Sequence, residues 1–144
     1  GLRPLTQHCH ALGMTFGLYA EPEGGRGDWS HTEAYRKCPG WFSQRNPDWP
    51  GKNLLNLAIP AAAEYMEEEW RTLIRDQEID LYRHDQNGCF GGESTATERS
   101  GVDECDDWRH YEALNAMVRR MVTTHPNTVF QQASGGGSRL DSAT

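Results

Sequence analysis

The sequence predicts an α/β fold of parallel strands joined by crossover helices, on three observations. Helical and extended patterns alternate, helix then strand, three times along 144 residues. Such alternation requires parallel strands with helical crossovers. The links that lead from helix into strand are short: Gly13-Met14, Gln77-Glu78 and His125 to Asn127. The links that leave strands are long, polar and aromatic. That asymmetry marks a (β/α)8 barrel, whose strand-to-helix loops carry the functional groups. A whole barrel takes about 250 residues. Residues 1–144 are therefore expected to be the central part of a single partial (β/α)8 TIM barrel, about three to four β/α units, whose N- and C-terminal parts lie outside the chain.

The elements follow in order. Pro4 suits the first turn of a helix running to about Leu12, and Gly13 suits the position past its end. Thr15 to Ala20 reads as a strand ending in Glu21-Pro22-Glu23. Gly24 to Asn53 reads as a loop of about thirty residues, a length usually tied to function. Leu54 to Leu57 is a short extended piece. Pro60 opens a helix to about Asp76, with Met66, Trp70, Leu73 and Ile74 on one face and Glu67, Glu68, Glu69 and Arg71 outside. Ile79 to Asp85 is the next strand, stopped by Asn87-Gly88. Gln86 to Asp106 is a second long loop. Asp107 can cap a helix to about Thr124, with Tyr111, Leu114, Val118, Met121 and Val122 as its apolar stripe. Thr128 to Ala133 is a third strand, running into Ser134-Gly135-Gly136-Gly137-Ser138.

Composition narrows the function. There are 21 acids against 14 bases, a net charge of −7, and no Lys/Arg stripe, which argues against a nucleic-acid partner. No apolar run approaches the roughly 18 residues of a membrane span, so no membrane partner is expected. The start shows no basic segment followed by an apolar one, so no leader is visible, although a removed or upstream leader stays open and so does the compartment. Cys9, Cys38, Cys89 and Cys105 match no zinc spacing and read as free thiols. A Cys89–Cys105 disulfide is the alternative in a secreted form. His8 and His10 would point about 200° apart on a helix and could not share one ion. No phosphate-binding GxxxxGK[ST] or GxGxxG run is present, and no cofactor is implied.

The chemistry concentrates at strand ends. Asp85 closes a buried strand with Arg83 two residues before it, on the same face. It reads either as a structural carboxylate paired with Arg83 or as a nucleophile that the same pair keeps ionised. Glu21 and Glu23 share a strand-end face. They read as surface acids beside Pro22, or as substrate ligands or one half of a glycosidase carboxylate pair. Tyr19, Trp29, Trp41, Trp49 and Trp108 sit at strand ends or in loops, where aromatic faces suit sugar rings or packing under the loops. Gly135 to Gly137 let a ligand approach the backbone, with a phosphate cradle as the rival.

Five stretches carry a family resemblance. Gly17-Leu18-Tyr19-Ala20-Glu21-Pro22-Glu23, Asn46-Pro47-Asp48-Trp49, Leu55-Asn56-Leu57-Ala58-Ile59-Pro60, Tyr82-Arg83-His84-Asp85-Gln86-Asn87 and Ser134 to Asp141 resemble, in order, the GLWxEPE, HPDW, LDLxNP, KWDxN and CxSGGGRxD motifs of glycoside hydrolase family 36, the microbial α-galactosidases or melibiases. The resemblance implies a retaining α-glycosidase on a (β/α)8 barrel. It puts Asp85 in the place of the nucleophile, Arg83 in that of a sugar-binding lysine and Tyr19 in that of a pocket aromatic. Lys52 is nearest to the family's basic sugar ligand, and Glu21, Asn87, Gln132, Ser134 and Gly135 fall at substrate-binding positions of the matching motifs. It implies a glycoside or oligosaccharide substrate and no metal, and it is compatible with a homo-oligomer of the full-length enzyme. Arg83 for lysine, Tyr19 for tryptophan, no cysteine at Gln132 and the extra Ser138 leave the sugar and linkage open. The family's acid/base aspartate follows the glycine-rich motif, so it is expected beyond Thr144 and the chain alone is expected to be inactive. A transglycosidase of raffinose-synthase type and a non-catalytic carbohydrate-binding barrel are the alternatives.

Overall fold

The computed structural model describes residues 1–24, 29–42, 54–87 and 106–134. Three parallel strands form one sheet: β1 (Gly17–Ala20), β2 (Leu81–His84) and β3 (Val129–Gln132), in that order. Gly17 lies opposite Leu81 and Leu81 opposite Val129, and the register continues to Ala20, His84 and Gln132. Four helices accompany them: α1 (Arg3–Ala11), α2 (Glu33–Lys37), α3 (Pro60–Gln77) and α4 (Asp106–Thr124). The α/β class and the parallel pairing are as the alternation predicts.

Each strand alternates, because successive side chains point to opposite faces. Leu18, Ala20, Tyr82, His84 and Phe130 turn to one face and meet Met66, Trp70 and Ile74 of α3 and Leu114, Met117 and Met121 of α4. Trp70 is the centre of this core. Its ring centroid lies 4.8 Å from Tyr82, 5.0 Å from His84 and 5.9 Å from Phe130. Removing such an indole costs about 3–5 kcal/mol. Gly17, Tyr19, Val129 and Gln131 are exposed on the other face, with Leu81 and Arg83 half-buried. The two long helices therefore cover the same side of the sheet.

The helix ends are held in different ways. Gln77, the last residue of α3, caps α1 from a distance: its Oε1 accepts from Leu2 N at 2.6 Å and Arg3 N at 2.9 Å. These amides have no partner inside their own helix. Glu78 ends α3 in the left-handed conformation, with φ 58° and ψ 47°. The predicted helix Pro4 to Leu12 and the predicted helix from Pro60 are both present, within a residue or two at each end.

Three details depart from the sequence reading. The thirty-residue loop is not irregular throughout: residues 29–31 and 39–41 form 3-10 turns and α2 lies between them, capped by Thr32 Oγ1 on Tyr35 N at 3.2 Å. Phe42 then bridges antiparallel to Leu55, and both side chains are buried. Second, the buried face of α4 is rotated. Tyr111 and Val122 are exposed, whereas His110 and Met117 are buried with Leu114 and Met121. His110 counts as polar in an apolar pattern, yet its ring nitrogens both find partners inside. Third, Glu67 does not face solvent freely but lies between Arg71 and Arg120 at the α3–α4 seam. Among the cysteines, Cys9 and Cys38 are free thiols; Cys89 and Cys105 lie outside the described residues.

Candidate functional site

Tyr19, Arg83 and Gln131 form one row across the open face, since Tyr19 lies opposite Arg83 and Arg83 opposite Gln131. Arg83 Nη1 donates to Gln131 Oε1 at 3.3 Å. Asp85 follows directly beyond β2 and is almost buried, at 8 % exposure. Its backbone N–H donates to Ala20 O at 3.0 Å, and its Oδ1 accepts from Gln86 N at 2.8 Å. No ion pair joins Arg83 to Asp85 among the described residues. Strand alternation puts the two on one face, but the guanidinium turns sideways to Gln131 instead.

Glu21 organises the neighbouring strand end. It accepts from the Tyr19 hydroxyl, from Asn87 Nδ2 at 2.8 Å and from Asn87 N at 3.3 Å. Asn87 Nδ2 also reaches the Tyr19 oxygen at 3.2 Å. The hydrogen bond to Glu21 pushes the Tyr19 hydroxyl up to about 12, helped by burial and by the charges of Glu21 and Asp85. On the other side Ser134, itself buried, donates to Gln86 through the carbonyl at 3.2 Å or the side-chain Oε1 at 2.9 Å. The segment Asp85–Gln86–Asn87 is thus strapped to the ends of both flanking strands.

Glu23 is neither a surface acid nor a companion of Glu21 on one face. The chain turns at Pro22-Glu23 and Gly24 N–H closes on Glu21 O at 3.1 Å. Glu23 becomes fully buried between two imidazoles. His84 Nε2 lies 2.6 Å from its Oε1 and His110 Nε2 lies 2.6 Å from its Oε2. Burial pushes this carboxyl up, but the hydrogen bonds that His110 and His84 donate to it more than reverse that and hold it well below the usual carboxylate range. Leu57 N donates to His110 Nδ1 at 3.1 Å. The network therefore assigns the proton of His110 to Nε2, directed at Glu23.

Of the residues the sequence singles out, Asp85, Tyr19, Glu21, Arg83, Asn87 and Ser134 gather at the C-terminal end of the sheet. Gln132 alternates to the helix-covered face, where its Oε1 is buried without a hydrogen bond. Gln131 takes the open-face position beside Arg83, and strand period alone distinguishes the two. Lys52 and Gly135 lie outside the described residues, as do Trp49 and the rest of the glycine-rich run. Trp108 is in the first turn of α4 and exposed. His84 and His110 carry no sequence signal that pairs them with Glu23. What the cluster offers is two carboxylates, a guanidinium, a phenol and an amide at one rim. Such a set suits a ligand rich in hydroxyls.

The family model described as Melibiase matches residues 1–144. An α-galactosidase of Escherichia coli is 26% identical over 145 residues, which cover 98% of this chain and 19% of that protein. The chain spans about a fifth of the length of the curated relatives it matches. Among solved structures, the family 36 α-galactosidase AgaB of Geobacillus stearothermophilus superposes with a TM-score of 0.85 at 25% identity, covering 98% of this chain and 20% of that one. A variant of AgaA from the same organism, solved in complex with raffinose, gives 0.82 at 25% identity with the same coverage of each chain.

Proposed function

The chain belongs to the melibiase family, and on that premise we propose that it supplies the nucleophile side of a retaining α-glycosidase site. Asp85 attacks the anomeric carbon of a terminal α-linked sugar. A carboxylate oxygen–carbon bond forms as the glycosidic carbon–oxygen bond breaks, and the leaving oxygen takes a proton. Water then releases the sugar from Asp85. The observation that carries this reading is the position of Asp85: it ends the central strand, strapped from both sides, beside the row Tyr19–Arg83–Gln131.

Arg83, Tyr19, Glu21 and Asn87 are assigned to sugar hydroxyls. Lys52, Ser134 and Gly135 keep the substrate-binding roles that the motifs imply, with Ser134 also holding the Asp85 segment, whereas Gln132 faces the helices and is not assigned to the sugar. The reaction requires a second carboxyl about 5 Å from the first as proton donor. Glu23 is buried between histidines and Glu21 is engaged by Tyr19 and Asn87, so neither is free for that work. We assign the donor to a later strand of the same barrel. The barrel itself is supported by two features: strand order follows chain order, and α3 and α4 cover one face only. The substrate class proposed is an oligosaccharide with a terminal α-galactosyl group, by likeness to the relatives.

The test is Asp85→Asn in the full-length protein, assayed on an aryl α-galactoside with a good leaving group. Turnover is expected to vanish, while a sugar ligand still binds. A rate like that of the wild type would remove Asp85 from the mechanism.

A further inference from the structure

We propose that Glu23 is a positioning residue for Asp85, acting through the buried chain His84–Glu23–His110. The proposal rests on the reading of Asp85 as nucleophile and deepens it. His84 is the last residue of β2 and immediately precedes Asp85. Its side chain, 1 % exposed, is held at Nε2 by a carboxylate that has no exposure at all. The same carboxylate binds His110 of α4, and His110 binds the backbone of Leu57 ahead of α3. The carboxylate itself sits in the turn after β1, where Glu23 O also accepts from Leu55 N at 2.7 Å. One side chain therefore joins the ends of two strands to a long helix, and the strand end it grips carries Asp85.

The chemistry of the chain selects a carboxylate. His110 must present Nε2–H, because its Nδ1 accepts from Leu57. His84 Nδ1 is buried without a partner, so its proton is better placed on Nε2 as well. Both imidazoles donate, and only an acceptor at both ends satisfies them. A glutamine in place of Glu23 offers one oxygen and one NH2. With the NH2 toward His110, two donors collide. With it toward His84, that ring must shift its proton to the partnerless Nδ1. Either way the grip on one side loosens, with little change in volume.

The experiment compares wild type, Glu23→Gln, His84→Leu and His84→Gln in the full-length protein. Turnover on the activated aryl α-galactoside is normalised to active sites counted with a mechanism-based inactivator. Affinity for 1-deoxygalactonojirimycin and the carboxyl 13C signal of Asp85 are measured alongside. Small misplacement of a reacting group costs up to about a hundredfold in rate. Glu23→Gln and His84→Leu are therefore expected to lower kcat by about tenfold to a hundredfold, with KM and inhibitor affinity held within about threefold. His84→Gln keeps a donor near Nε2 and is expected to recover most of the rate. Asp85 13C should move in the first two variants and return in the third. Unchanged kcat per active site with only a lowered Tm would make Glu23 purely structural and overturn the proposal. A wild type without turnover would instead overturn the nucleophile reading. The 13C signal then decides the positioning, and an unmoved signal in Glu23→Gln ends it. If neither Glu23→Gln nor His84→Leu folds, a His84→Gln variant with the full loss of rate would equally overturn it.

Discussion

Arg120 of α4 grips Glu67 of α3 along both edges of the carboxylate, with contacts of 2.6, 3.0 and 3.2 Å. Arg71 reaches the same group from one turn away at 2.6 Å. The hydrogen bond from Arg120 leads in lowering the Glu67 carboxyl below its usual value, and Arg71 adds to it. Arg120 is more than half exposed, so solvent screens the pair. Glu67→Ala is expected to destabilise the chain by about 1 kcal/mol, read as a lower urea midpoint. Added salt should shrink the difference. A salt-independent loss would mean that packing, not charge, is what Glu67 provides.

The left-handed turn at Glu78 gives a change in the opposite direction. A non-glycine residue there costs about 1–2 kcal/mol, and glycine is the usual choice at that place. Against this, Glu78 pairs with Arg3 at 2.7 Å on the surface, worth about 0–1 kcal/mol. Glu78→Gly is expected to raise Tm modestly, and more so in an Arg3→Ala background. A fall in Tm in that background would refute the strain argument.

Acid should act through Glu23. Its folded carboxyl ionises well below the ordinary range despite burial, because His110 and His84 bind the charged form. A group lowered by folding contributes stability that is full above the unfolded value, about 4.3. That contribution is lost as pH falls through the folded value. Urea midpoints between pH 6 and pH 3 are expected to fall more steeply in wild type than in Glu23→Gln. Parallel slopes would show that Glu23 is not the linked group.

Tyr19 titrates at the other extreme. Its hydroxyl is pushed to about 12 by Glu21 first of all. Stability linked to this group is present below the unfolded value of about 10 and lost as pH rises toward the folded one. Tyrosinate absorbance is expected to show one late-ionising exposed tyrosine that reverts toward 10 in Glu21→Gln. Retention of the late step in that variant would assign it to Tyr82 or Tyr65, which burial likewise pushes up.

Much of this was legible from pattern. The α/β alternation placed all three strands, and the ladder contacts of Asp80, Asp85 and Ala133 extend them toward the longer ranges that the sequence predicts. Period-2 alternation put Arg83 and Asp85 on one face. It could not tell that Arg83 would turn to Gln131, since a strand's neighbour is set by register across the sheet. It missed α2 because five residues carry little periodicity, although Thr32-Glu33 is a usable start signal. It left Glu23 as a surface acid, a substrate ligand or half of a carboxylate pair, because a buried charge becomes tolerable only through partners far away in sequence. His84 and His110, 61 and 87 residues distant, are such partners.

The shared register has a consequence for how this chain can change over time. Substitutions on either face leave the pairing intact, but adding or deleting one residue within β2 exchanges its faces. Arg83 would turn toward Trp70 while His84 lost Glu23, and Asp85 would leave the rim. Variation in length is therefore confined to the links between elements, and within the strands this chain can drift only by replacement.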